Sequence, residues 1–175
     1  LIATTHLDSG RRMIWNMGAI AARGDETALK LFRDILAASA AIPGFFSPVA
    51  IEVEANGRRL QELHNDGTII SPFFVVPETM LSTGSKSQLP FSTLYVIVNS
   101  KTTSEFSMPD RTIVGVLSRS IAVALTAALR TEAMLILATA QRRGVDVRVA
   151  FVDSSFDHPS RGAFDGKYMQ ALFEF

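Results

Sequence analysis

The sequence predicts an α/β fold in which strands and helices alternate. Three observations carry that expectation: short β-branched runs bounded by turn residues, a capped helical period after Asp25, and a long helical stretch between two apolar runs. The 175 residues suit one domain and can bury roughly 70% of the surface the unfolded chain exposes. Seventeen Lys and Arg balance seventeen Asp and Glu, which argues against a nucleic-acid partner, since such binders carry a basic excess. No cysteine is present, so disulfides, thiolate metal sites and a cysteine nucleophile are excluded. The mean hydropathy of +0.23 is high for a chain with this many charges.

The chain opens on Leu1-Ile2-Ala3-Thr4-Thr5-His6-Leu7, an apolar, β-branched strand closed by the turn Asp8-Ser9-Gly10, and residues 11–15 form a returning strand. A core strand at the start and Phe173-Glu174-Phe175 at the end read as the limits of a fragment. The opening strand is then expected to lack a neighbour, and the isolated chain to self-associate or stay loose. Asp25 suits a helix N-cap, with Glu26 beside the positive end of the helix dipole. Ala28, Leu29, Phe32, Ile35 and Leu36 keep helical spacing until Pro43-Gly44 ends the helix near Ile42. Small residues over 37–41 let another backbone approach its end.

Val49-Ala50-Ile51-Glu52-Val53 predicts a strand, Asn56-Gly57 a two-residue hairpin turn, and 58–63 the return strand. His64-Asn65-Asp66-Gly67-Thr68 follows at its end, before prolines at Pro72 and Pro77 and a loop over 82–92. Residues 93–98 form a continuous apolar run of the kind buried on both faces of a sheet. A helix over 109–143, ended by Gly144, would be about 50 Å long and is expected to kink. Arg119, Arg130 and Glu132 interrupt it short of the ~20 uncharged residues of a membrane span. A strand over 145–152 and a helix over 167–173 complete the chain, with residues 1–80 and 81–175 as two parts of one compact unit.

Several blocks together resemble a known family. Ala3-Thr4-Thr5-His6-Leu7-Asp8, Trp15-Asn16-Met17-Gly18-Ala19-Ile20-Ala21, and the run from Ala38-Ser39-Ala40-Ala41-Ile42-Pro43-Gly44 to Val49, followed by Asp66-Gly67, are similar to the second half of bacterial patatin-like phospholipases. Leu94-Tyr95-Val96-Ile97 and Tyr168-Met169-Gln170-Ala171-Leu172-Phe173 resemble the C-terminal region of such proteins. The resemblance implies part of a three-layer α/β/α fold and a lipid acyl hydrolase working through a Ser–Asp dyad. It further implies a lipid or ester substrate, transient contact with a membrane surface, and no cofactor. Asp66 would be the dyad aspartate and Asp66-Gly67-Thr68 its motif, with Thr68 where the family has Gly or Ala. The family's Gly-x-Ser-x-Gly elbow and Gly-rich oxyanion loop do not occur in these residues, so the chain alone is expected to be inactive.

Other groupings have competing readings. His6-x-Asp8 and His64-x-Asp66 repeat one spacing, with Asp157-His158 a third His–Asp pair. Two such His-x-Asp pairs could ligate Zn or Mn in a metal hydrolase, since strand residues two apart share a face, but chance pairing of three histidines weighs more, and His64 is given a structural role. A scaffold retained without enzymatic activity, as an interaction module, is the other alternative. Phe45, Phe46, Phe73 and Phe74 could line an acyl pocket, though each is more simply a core residue. Arg11-Arg12 and Arg142-Arg143 read as solvated charge rather than headgroup contacts. Trp15 is core or interfacial.

Overall fold

In the computed structural model, which describes residues 1–73, 75, 91–101, 108–162 and 164–175, β1 (Ile2–His6) turns back through residues 7–10 into β2 (Arg11–Trp15). The two run antiparallel, with Ile2 opposite Trp15 and His6 opposite Arg11. A short helix follows, α1 (Met17–Ala22), capped by the Asn16 side chain accepting from Ala19 N. Six residues make less than two turns, too few for a hydrophobic period to register in the sequence. Helix α2 (Glu26–Ser39) starts where Asp25 predicts: its Oδ1 accepts from Ala28 N at 2.7 Å, and that bond holds the carboxyl below the usual carboxylate range. The helix ends at Ser39, three residues before Ile42, because Ala40 N and Ala41 N already bond back to Ala37 O and Ala38 O in a tightened last turn.

Strands β3 (Val49–Ala55) and β4 (Arg58–Asp66) form the expected hairpin. Asn56 and Gly57 both have positive φ, 53° and 71°, as a turn matching the strand twist requires. β4 runs past Leu63 through Asp66, since its last residues pair with β1: Thr4 with Asp66, Thr5 with Asn65, His6 with His64. The sheet order is β2-β1-β4-β3. The opening strand is therefore interior, not the edge expected of it; β4, some sixty residues later, supplies its second neighbour. Register and alternation put Ile2, Trp15, Val49, Ile51 and Val53 on one face. There they pack with Met17, Ile35 and Ala38 of the two helices. Thr4, His6, Glu62, His64 and Asp66 belong to that same face by register.

The chain divides into two compact units, Leu1–Ser85 with Pro109–Leu135, and Lys86–Met108 with Ile136–Phe175. The second holds a parallel pair, β5 (Thr93–Lys101) and β6 (Asp146–Val152). A parallel pair needs a long crossover, and α3 (Ile113–Arg142) lies between these strands in sequence. β5 is not buried on both faces as its composition suggests: Tyr95 is 67% and Ile97 81% exposed, in a sheet that has two strands among the described residues. Phe156, nearly fully buried, gathers the rings of Tyr168 and Phe175 at 5.3 Å each, around helix α4 (Gly166–Glu174), whose N-cap is Asp165. Phe74, Pro77 and most of the 82–92 loop lie outside the described residues.

Helix α3 corrects one expectation. It spans 30 residues, about 45 Å at 1.5 Å per residue. Its most apolar eighteen residues have a mean hydropathy of 1.8, so by length and composition it is apolar enough to cross a membrane despite Arg119, Arg130 and Glu132. Ile136, Thr139 and Ala140 are its buried residues, while Ile113, Val114 and Met134 are largely exposed. Apolar residues lie all round it rather than along one stripe.

Candidate functional site

Asp66 ends β4 and caps a single 3-10 turn, Gly67–Ile69. Its Oδ1 accepts from both Thr68 N and Thr68 Oγ1, at 2.9 Å each. Thr68 thus supplies the local hydrogen bond that Gly or Ala could not, fixing the carboxylate against its own turn. Among the described residues no hydrogen bond reaches Oδ2, which leaves one oxygen of a partly exposed carboxylate able to accept a proton. The main chain is held more firmly. Asp66 N donates to Ala41 O at 3.2 Å, and Asp66 O accepts from Thr5 Oγ1 at 2.8 Å.

Gly67 is needed for space. Its φ is not positive, but a Cβ there would stand 2.8 Å from Ala3 O and 3.0 Å from Ala3 C and Cβ. β1 passes directly against the turn. Downstream, Ser71 Oγ and Phe73 N (3.1 Å) both donate to the Glu132 carboxylate, so a residue that reads in sequence as an interruption of α3 anchors the chain after Asp66.

Beside Asp66 on the same strand face, His64 is fully buried. Burial pushes its imidazole below the usual histidine range, so it is neutral at pH 7. Trp15 Nε1–H donates to Thr4 Oγ1 at 2.8 Å, and Thr4 Oγ1 lies 3.0 Å from His64 Nδ1. One arrangement satisfies all three groups: the Thr4 hydroxyl donates to Nδ1, leaving the His64 proton on Nε2, 3.4 Å from Glu62 Oε2. Thr4→Val keeps the shape but leaves Trp15 Nε1–H and His64 Nδ1 without partners. We expect it to lower unfolding free energy by roughly 2–4 kcal/mol in urea denaturation, with Thr4→Ser close to the parent; equal stability of Val and Ser variants would refute the network.

His6 faces His64 directly across the two strands, ring centroids 5.1 Å apart. Its Nδ1 pairs with Ser9 Oγ. Its Nε2 points toward Glu62 Oε2 at 3.4 Å and Asp8 Oδ2 at 3.6 Å, yet is buried without a hydrogen bond. Of the His-x-Asp pairs singled out in sequence, the structure joins His6, Asp8 and His64, adds Glu62, and leaves Asp66 bonded to Thr68. Asp157-His158 belongs to the second unit, where His158 Nδ1 donates to Pro159 O and its ring stacks on Phe156. Glu62 was missed because a glutamate on a hairpin strand looks like ordinary solvated charge. Its spacing of two from His64 was the available signal.

Phe45 and Phe46 are 59% and 49% exposed, so they are not the core residues that composition favours. Their turn follows Gly44 (φ 84°), with both amides donating to Ile42 O. A cavity of about 380 Å³ lies where α1 meets the start of α2, lined by Ala21, Asp25, Leu29 and Phe32 among others; Asp66 does not line it. No protein-family model matches this chain, and no curated protein does.

Proposed function

We propose that these residues are the aspartate-bearing part of a patatin-like serine lipid acyl hydrolase, with the α/β fold a portion of its three-layer architecture. The observation that carries this reading is the junction of the two sequence blocks most specific to the resemblance. The Ala38-Ser39-Ala40-Ala41 helix end and Asp66-Gly67 lie 25 residues apart, yet Asp66 N donates to Ala41 O. Ala38 and Ala41 are buried, as a small-residue helix end must be for a strand terminus to approach so closely. A carboxylate held by its backbone, with one oxygen open, suits a general base.

The chemistry is acyl transfer. A serine Oγ, from a segment outside these 175 residues, attacks an ester carbonyl while Asp66 takes its proton. The acyl-enzyme forms as the alcohol leaves with the proton Asp66 took, and water, giving a proton to Asp66, then releases the acid as that proton returns to the serine. Oxyanion donors, also from outside, supply about 3 kcal/mol each. The exposed Phe45 and Phe46 offer apolar surface to an acyl chain.

The test is hydrolysis of short-chain p-nitrophenyl esters, with and without the upstream coding segment. The 175-residue chain is expected to show no serine-dependent turnover, and the longer protein to show turnover that an organophosphonate blocks. Activity of the short chain alone, or an upstream segment without a Gly-x-Ser-x-Gly, overturns the reading.

A further inference from the structure

The geometry points to a divalent transition-metal site, best suited to Zn²⁺, formed by His6 Nε2, His64 Nε2 and Glu62 Oε2, with Asp8 beside it. The argument begins in the strand register. His6 and His64 are direct cross-strand partners, and Glu62 precedes His64 by two residues, so all three side chains leave the sheet on one face. Their ligating atoms lie within 4.8 Å of one another. Glu62 Oε2 is 3.4 Å from each histidine Nε2. Ligands about 2.0–2.1 Å from a tetrahedral Zn²⁺ stand about 3.4 Å apart, so two of the three edges already have the required length. The edge between the histidines is the one that has to close.

The second observation is the unsatisfied state of His6. Its side chain is 13% exposed, and its Nε2 is buried with no hydrogen bond although two carboxylate oxygens lie within 3.6 Å. An N–H there is misaimed, and a lone pair there faces negative charge. A cation resolves both, because it accepts the nitrogen lone pair and neutralises Glu62 and Asp8.

The groups behind the ligands suit the role. Ser9 Oγ pairs with His6 Nδ1 and so orients Nε2 toward Glu62. Thr4 Oγ1 has two lone pairs: with a metal on His64 Nε2 the ring proton moves to Nδ1, and Thr4 accepts from it as well as from Trp15. Leu63 N donates to Asp8 Oδ2 at 2.9 Å, holding that carboxylate next to the cluster. Two imidazoles and a carboxylate favour Zn²⁺ over Ca²⁺ or Mg²⁺, which take oxygen ligands. Glu62, 33% exposed, gives the entry side. Such an ion would tie β1 to β4 two residues before Asp66, and it stands independently of the acyl-hydrolase reading.

The experiment is equilibrium dialysis of the purified chain against Zn²⁺ at pH 7.5, with Co²⁺ as a spectroscopic substitute. One equivalent is expected to bind, to raise the Tm, and to give with Co²⁺ the intense visible bands of low coordination number. Glu62→Gln, isosteric and at a one-third-exposed position, is expected to weaken binding at least tenfold while leaving the far-ultraviolet circular dichroism unchanged; His6→Ala should abolish it, and His158→Ala should have no effect. Absence of stoichiometric binding overturns the site, as does binding that survives Glu62→Gln or is lost with His158→Ala.

Discussion

On the acyl-hydrolase proposal, Asp66→Asn is expected to lower kcat for short-chain esters by about 10²–10⁴-fold in a protein that joins these residues to a serine-bearing segment. The substitution is nearly isosteric. An asparagine Oδ1 still accepts from Thr68 N and Oγ1, and the backbone bonds to Ala41 and Thr5 do not involve the side chain. The fold should therefore persist, with unfolding free energy within about 1 kcal/mol of the parent. On that proposal what disappears is the capacity to take the serine proton, so the loss should fall on kcat rather than KM. Steady-state kinetics alongside a denaturation curve separates the outcomes. Full activity with Asn removes Asp66 from the mechanism, and unfolding of the variant would mark it as structural.

Gly67→Ala is expected to destabilise the chain by about 3 kcal/mol, a Tm lower by roughly 6–12 °C at this length. The added Cβ would meet backbone rather than a yielding side chain: Ala3 O at 2.8 Å and Ala3 C at 3.0 Å. Relief requires β1 to move off the end of β4, which strains the pairing of Thr4 with Asp66. Gly18→Ala in α1 is the control, since its Cβ would meet only Asn16 Oδ1 at an ordinary 3.5 Å and alanine favours helix. Thermal unfolding followed by circular dichroism compares the two. Equal melting temperatures would mean that β1 does not press on the turn.

The contrast between Gly67 and Gly57 shows how far sequence reading reaches. Asn56-Gly57 is legible because its reason is local: two consecutive positive φ values that few residue pairs tolerate. Gly67 looks equally like a turn glycine, but its reason is a strand sixty residues earlier in the chain. The same division holds for the candidate site. Asp66-Gly67 by itself reads as a turn and is singled out only by the resemblance of the blocks around it, whereas Glu62 acquires meaning only when His6 comes to lie opposite His64.

From its sequence alone the chain determines the elements whose signals are contained within a few residues: the β1–β2 turn, the Asp25 cap, the β3–β4 hairpin and the apolar length of α3. Tertiary structure alone decides the order β2-β1-β4-β3, the interior position of the opening strand, the exposure of β5, and the meeting of two histidines with one glutamate. The physical reason is the range of the interactions. Caps and turns are settled by backbone sterics and hydrogen bonds within a few residues, while strand order and register follow from which distant apolar faces and backbone edges gain most by pairing.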